Sequence, residues 1–349
     1  MNSVDNSPPE PGPEPVLRVR GLDVRFRTRS GDLSVVRDVD LEVGRGEVVA
    51  LLGESGSGKS VTARAIMGLL EDTATATADE LWLAGRDLTA LDERGRRELR
   101  GTEISLVMQD ALSALNPVLS VDDQLGELFR VRRGLSRSAA RAKAVELLGL
   151  VGIPAPRQRI RDHPHQFSGG MRQRILIAMA IALEPKVLIA DEPTTALDVT
   201  VQAQILDLLD RLRDQLGMGI LLITHDLGVV LEVADRLAVM YAGRVVEAGA
   251  ADPVLDRPAH PYTQALLRSM PQAAGQGSPL IAIPGSPPNP ARTPSGCAFH
   301  PRCPVRLPLC REVRPEPAEP GPGRIAACHR SRELITGTMI SEEPVHGGV

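Results

Sequence analysis

The residues Gly53-Glu54-Ser55-Gly56-Ser57-Gly58-Lys59-Ser60 fit the pattern G-x-x-x-x-G-K-[ST]. That spacing suits one task, the holding of phosphate. The glycines let successive backbone N–H groups turn inward around phosphate oxygens, and a helix N-terminus behind the loop adds positive potential. Lys59 is long enough to reach β- and γ-phosphates, and the Ser60 hydroxyl can ligate Mg²⁺. Lys59 also stands out by rarity, since the other lysines are Lys143 and Lys186 alone. A glycine-rich turn can match by chance, so its context decides. The apolar run Val48–Leu52 predicts a buried parallel strand before the loop, and a helical pattern starts at Val61 after it.

Other groups of the right chemistry stand at strand ends. Val187-Leu188-Ile189-Ala190 predicts a second buried strand, ending in Asp191-Glu192. An acidic pair at a strand end is usually solvated. Downstream of a phosphate loop it resembles the Walker B arrangement, with Asp191 supporting Mg²⁺ and Glu192 polarising an attacking water. Ile220–Ile223 predicts a third strand, ending in Thr224-His225-Asp226. Ile104–Met108 predicts another, ending at Gln109. Phe167-Ser168-Gly169-Gly170-Met171 opens a helix running to Leu183, with Pro185 stopping it. The N–H groups at that helix start form a second candidate contact for phosphate.

These groups sit on apolar strands alternating with helical patterns, the mark of an α/β domain. The expected organisation is a disordered lead-in over 1–15 and a large domain over 16–255. Within that domain, a helical subdomain falls at about 110–165, with helices near Val121–Arg130 and Ala139–Leu148. An extension over 256–335 and a flexible tail over 336–349 follow. Proline marks the borders: five lie between Pro8 and Pro15, and 14 between Pro271 and Pro322. The longest nearly apolar run, Ile175–Leu183, is too short for a membrane span of roughly 20 residues. The first residues lack the pattern of a signal peptide, so a cytosolic chain reaching any membrane through a partner is expected. A net charge of −4 and seven aromatic residues argue against a nucleic-acid partner. The arginines at 94, 96, 97 and 100 alternate with Glu93 and Glu98, as on a solvated helix face.

The order of motifs (phosphate loop, Gln109, Ser168-Gly169-Gly170, Asp191-Glu192, Ala196-Leu197-Asp198, His225) resembles the nucleotide-binding domain of an ABC ATPase. The resemblance covers about 16–250. It implies a P-loop (RecA-like) α/β fold with a helical subdomain, here followed by a small cysteine-bearing extension. In that family two such domains pair head to tail, each ATP lying between the loop of one and the Ser-Gly-Gly segment of the other. By matching position, the nucleotide contacts are Gly53, Ser55, Gly56, Ser57, Gly58, Lys59, Ser60, Val61, Asp191, Ser168, Gly169, Gly170 and Asp198. Mg²⁺ falls to Ser60, Gln109 and Asp191. Glu192 resembles the catalytic base, His225 the switch histidine, Gln109 the Q-loop glutamine, and Asp198 the D-loop aspartate. Phe26 matches the aromatic that stacks on adenine, and equally suits a core position on an N-terminal strand. The common signature Leu-Ser-Gly-Gly-Gln reads Phe167-Ser168-Gly169-Gly170-Met171 here, keeping the phosphate-facing part.

The segment Arg257–Leu267 narrows the resemblance to ATPases of oligopeptide and dipeptide importers, a group that also includes nickel importers. That implies ATP and Mg²⁺ as cofactors and a peripheral place on the cytoplasmic face of the membrane. The implied partners are two transmembrane permease subunits, a second ATPase subunit (a paralogue rather than a copy) and an extracytoplasmic solute-binding protein. A non-transport ABC ATPase acting on nucleic acid or the ribosome is the rival reading. Such chains commonly carry two nucleotide domains or long coiled-coil insertions, and neither is seen.

All four cysteines lie in the extension, spaced C-x5-C-x6-C-x17-C at Cys297, Cys303, Cys310 and Cys328. Disulfides are disfavoured in a reducing cytosol. Zinc suits four thiolates, with His300 and His329 as alternative ligands, but the close pairs typical of zinc sites are missing. An iron–sulfur cluster also takes four thiolates, with more variable spacing. Four unlinked thiols are the remaining alternative. The peptide-importer resemblance implies a [4Fe–4S] cluster at this position.

Overall fold

The computed structural model describes residues 15–29, 31–195, 197–269 and 282–337. The expected lead-in (apart from Pro15), most of the expected tail and Ala196 lie outside these.

Two sheets organise the chain. An antiparallel sheet is built from β1 (Leu17–Thr28), β2 (Gly31–Val43), β4 (Ala74–Thr77), β5 (Glu80–Leu83) and β6 (Arg86–Asp87). The second sheet runs in the order β12 (Ala318–Gly321), β13 (Arg324–Ala326), β11 (Arg244–Ala250), β10 (Arg236–Tyr241), β3 (Val48–Leu52), β9 (Gly219–Thr224), β8 (Val187–Asp191), β7 (Ile104–Val107). Its parallel part joins β3, β7, β8, β9 and β10. The strands expected at Val48, Ile104, Val187 and Ile220 are all present, within one residue at each end.

The parallel strands are mostly apolar because both of their faces are covered. Their side chains alternate between two cores, as a period of two requires. Val187 and Ile189 of β8, with Leu221 and Ile223 of β9, pack toward the antiparallel sheet. Leu188 and Ala190, with Ile220 and Leu222, pack toward the helical side. That side holds the helices Val121–Arg133 and Arg137–Leu150, each capped at its N-terminus by a serine side chain, Ser120 or Ser136.

Residues beyond 255 pack onto the core of the large domain. β11 (Arg244–Ala250) continues the sheet antiparallel to β10, and β13 (Arg324–Ala326) and β12 (Ala318–Gly321) add to that edge. Tyr262, Phe299 and Cys303 are buried with Ala50 and Leu52 of β3 and Val239 and Tyr241 of β10. Packing is continuous across residue 255, with Val254 and Tyr262 in one cluster. A second tie is polar: Glu247, fully buried on β11, pairs with Arg324 at 2.5 Å and accepts the N–H groups of Ala259 and His260.

Candidate active site

Each predicted site strand delivers its group at its carboxyl end, where open parallel sheets bind ligands. The loop 53–58 follows β3 and leads into the helix Lys59–Met67, with Gly56 and Gly58 at φ 80° and 109°. Those angles are left-handed and favour glycine. Gly53 is needed for another reason: a Cβ there would lie 2.2 Å from the carbonyl oxygen of Met240.

An open cleft of about 790 Å³ lies over this loop. Gly53, Glu54, Ser55, Gly56, Gly58, Lys59, Ser60 and Val61 line it, together with Gln109, Glu192 and His225 from three other strand ends. The structure thus brings together residues up to 172 positions apart along the chain, from Gly53 to His225. Lys59 is buried, and its Nζ donates to the carbonyls of Gly53 at 2.6 Å and Glu54 at 3.1 Å. Burial pushes its ammonium below the usual lysine range, while Glu192, Asp191 and Glu54 pull it back.

Ser60 Oγ donates to Asp191 Oδ1 at 2.9 Å, joining the loop to the end of β8. Burial raises the Asp191 carboxyl above its usual value, the Ser60 hydrogen bond opposing this and the neighbouring Glu192 adding to it. A cation held there would favour the ionised form. Glu192 adopts φ 49°, unusual for a residue with a side chain, and its N–H is held by the Ile223 carbonyl at 2.8 Å. Such backbone conformations persist where surrounding contacts over-determine them. Its Oε2 accepts from Gln109 Nε2 at 2.8 Å and from Thr195 Oγ1 at 2.9 Å, and His225 Nδ1 lies 3.1 Å from Oε1.

Other candidates stand apart from this cleft. Ser168 caps the helix Gly169–Ile181 by accepting from the Met171 N–H. Ser168 and Gly169 are exposed, and the three signature residues do not line the cleft. Phe167 is buried beneath the Arg159 guanidinium, 4.3 Å from the ring centre, and Arg159 Nη1 also contacts Met171 Sδ at 3.3 Å. The variant residues flanking Ser-Gly-Gly are therefore anchored as a pair. Asp198 is exposed and caps the helix Val199–Leu216. Phe26 packs against the core of the antiparallel sheet and is not among the cleft residues, where β2 contributes Val35 instead.

The chemistry fits ATP and Mg²⁺. Ser57 Oγ, inside the loop, is buried without a hydrogen-bond partner among the described residues, and Lys59 Nζ turns back onto the loop carbonyls. Sequence reasoning missed Thr195, although it stands in the stretch following Glu192. It also missed Tyr262, Leu266 and Pro287 of the extension, which reach the loop or the cleft.

The four cysteines all line one cavity of about 10 Å³. Each sulfur accepts backbone N–H groups: Cys297 from Phe299 and His300, Cys303 from Val305, Cys310 from Leu307 and Cys328 from Arg330. Burial raises the Cys297 thiol, lifts Cys303 to about 11 and Cys328 to about 12. Among the described residues no group of three or more His, Cys, Asp or Glu is arranged to hold a metal ion. The expected iron–sulfur site is therefore not formed in this geometry. Four converging sulfurs are the donor chemistry such a centre uses, and the cavity of about 10 Å³ that they line would have to widen to take one.

Fold and cleft define an ATP-binding cassette of the ABC transporter class. Residues 36–195 match the family described as ABC transporter, and 246–310 match the oligopeptide/dipeptide transporter, C-terminal region. The dipeptide transport ATP-binding protein DppD of Bacillus subtilis is 49% identical over 86% of this chain and 90% of its own length. The oligopeptide transport ATP-binding protein OppD of Salmonella typhimurium is 45% identical over 92% of this chain and 95% of its own. A dimeric structure of the ATP-binding cassette MJ0796, in a post-hydrolysis state bound to ADP and Pi, aligns at 26% identity and a TM-score of 0.60. That alignment covers 67% of this chain and 98% of the other. The chain belongs to the ATP-binding proteins of ABC peptide and dipeptide transporters. It is an ATPase, and no helix among its described residues is long and apolar enough to cross a membrane.

Proposed function

We propose that this chain hydrolyses ATP to power import of peptides or a related solute through a membrane permease. The observation that carries the hydrolytic part is the Glu192 carboxylate, fixed by Gln109, Thr195 and His225 beside the Ser60–Asp191 pair. The match of 246–310 to the oligopeptide/dipeptide region supports the solute class.

Lys59 would exchange the carbonyls of Gly53 and Glu54 for phosphate oxygens, and the Ser57 hydroxyl would gain its missing partner. Ser60 and Asp191, with Gln109 nearby, would hold Mg²⁺, which when bound neutralises charge on the β- and γ-phosphates. Glu192 polarises the attacking water, its two oxygens oriented from both sides. His225, 3.1 Å from Glu192 Oε1, would contact the same water. The exposed Ser168, Gly169 and Asp198, with the half-buried Gly170, would meet a second cassette, and the dimeric MJ0796 structure supports that pairing. Closure and reopening of the pair would move two permease subunits, fed by an extracytoplasmic binding protein. The chain would lie on the cytoplasmic face, with a paralogue as its partner.

The four cysteines are the finer part of this reading. Their convergence and their N–H···S contacts support a [4Fe–4S] cluster, with Zn²⁺ as the alternative, acting as a staple for a segment poor in apolar residues. Metal and acid-labile sulfide analysis of chain purified without oxygen tests it, and a chain carrying neither iron nor zinc would leave four thiols.

The transport reading is tested by gentle detergent extraction of the tagged chain from its own membranes. Two multi-span proteins, a second ATPase and a binding protein are the expected companions. Recovery of soluble or nucleic-acid-bound partners alone would overturn import and leave the ATPase standing.

A further inference from the structure

Glu54 is the second residue of the phosphate loop, and it is anchored at three points. Its carbonyl oxygen accepts from Lys59 Nζ, and its N–H donates to Tyr262 Oη at 2.9 Å. Its carboxylate forms a two-pronged pair with Arg302, Nη1 to Oε2 at 2.7 Å and Nη2 to Oε1 at 3.0 Å. Two of these anchors come from the extension, more than 200 positions away along the chain.

Arg302 is itself fixed on all sides. Its side chain is 6% exposed against 23% for Glu54, so the guanidinium is the buried member of the pair. Nε donates to the Pro284 carbonyl at 2.8 Å, and Nη1 also reaches Tyr241 Oη at 3.4 Å. The guanidinium carbon lies 5.8 Å from the Phe299 ring centre and 5.9 Å from that of Tyr241. Tyr241, Tyr262 and Phe299 pack on one another at 4.5 to 5.4 Å between centres. Three of the chain's seven aromatics are thus gathered at this junction. A planar fork held this way matches a carboxylate in a single orientation, which a lysine could not do. The backbone N–H of Arg302 is bonded to Phe299, within the loop that joins Cys297 to Cys303.

Charge gives the arrangement its consequence. Glu54 lines the cleft that holds phosphate, and an unpaired carboxylate there would repel it. We propose that Arg302 is a positioning residue for nucleotide binding: it holds the Glu54 carboxylate aside and fixes the loop backbone, so the extension sets the affinity for ATP. This rests on the reading of residues 53–60 as the phosphate loop.

The test measures ATP affinity of the full chain by titration, and the KM and kcat of the chain assembled with its permease. Arg302→Met should weaken ATP binding about tenfold, within the span usual for coupling between sites, with kcat at saturating ATP within about twofold of the parent. Arg302→Lys should recover part of the loss. Adding Glu54→Gln to Arg302→Met should also recover affinity, because the stranded charge is gone. A lowered melting temperature with unchanged ATP affinity would make Arg302 merely structural and overturn the proposal. If Arg302→Met does not fold, unchanged affinity in both Arg302→Lys and Tyr262→Phe overturns it equally. Lys59→Ala, measured alongside, separates the two levels: unaltered ATP binding there would sink the phosphate-loop reading itself.

Discussion

Gln109 and His225 hold opposite oxygens of one carboxylate. Gln109 Nε2 donates to Glu192 Oε2 at 2.8 Å, and His225 Nδ1 lies 3.1 Å from Oε1. The two residues come from the ends of non-adjacent strands, β7 and β9, with β8 and Glu192 between them. A general base oriented from both sides keeps its lone pairs aimed at one place, where an attacking water can sit.

Glu192→Gln should therefore bind ATP normally and hydrolyse it about 10²- to 10⁴-fold more slowly, the span usual for loss of a positioned base. Steady-state ATPase of the assembled complex, with ATP binding measured in parallel, checks this. Turnover near the parent rate would exclude Glu192 as the base.

Gly170 meets Val201 across the signature helix, where a Cβ would lie 2.5 Å from Val201 Cγ1. Gly170→Ala should shift the exposed N-terminus of that helix and leave the distant cleft untouched. The isolated chain should keep its ATP affinity within about twofold, while ATPase that depends on pairing falls about tenfold, or about 1.4 kcal/mol. Equal losses in both assays would place the signature inside the same subunit's site.

Arg324→Met should cost about 3 to 5 kcal/mol, because it strands the buried Glu247 carboxylate without its cation. Arg324 also donates to the carbonyls of Pro253 and Arg257, so the edge strands β12 and β13 should loosen first. Urea denaturation gives the magnitude, and limited proteolysis shows whether the cut falls in the extension.

His260 is fully enclosed, and burial lowers its imidazole from about 6.5 to about 3. Its Nδ1 accepts from the Tyr262 N–H, which needs the unprotonated nitrogen. Between those two values the unfolded chain binds the extra proton and the folded chain does not. The stability is fully present above the ordinary histidine value and falls as pH drops from about 6.5 toward 3, by up to about 1.4 kcal/mol per unit. His260→Asn keeps a capping acceptor and cannot titrate in this range. Its stability, followed by urea titration near pH 7 and near pH 5, should lose this part of the slope.

Local sequence pattern encodes the chemistry of the site. Glycine spacing marks the phosphate loop, and apolar runs of strand length ending in Asp191-Glu192, Gln109 and His225 mark the other site elements. These were legible because backbone conformation, strand burial and helix capping depend on neighbours within a few residues. The helices near 121 and 139 were readable for the same reason, and their ends moved by up to three residues once Gly134 and Val151 capped them. Which distant groups meet is set by packing across the fold. Nothing in the spacing says that Arg302 pairs with Glu54, that Tyr262 receives the loop's N–H, that Arg324 neutralises Glu247, or that β12 and β13 lengthen the main sheet. Such pairs are chosen by shape, burial and charge satisfaction across the packed core, where a buried ion must find its partner wherever the chain brings one. The cysteines show the division most clearly: their clustering in the sequence foretold convergence, while the closed cavity among them was set by packing.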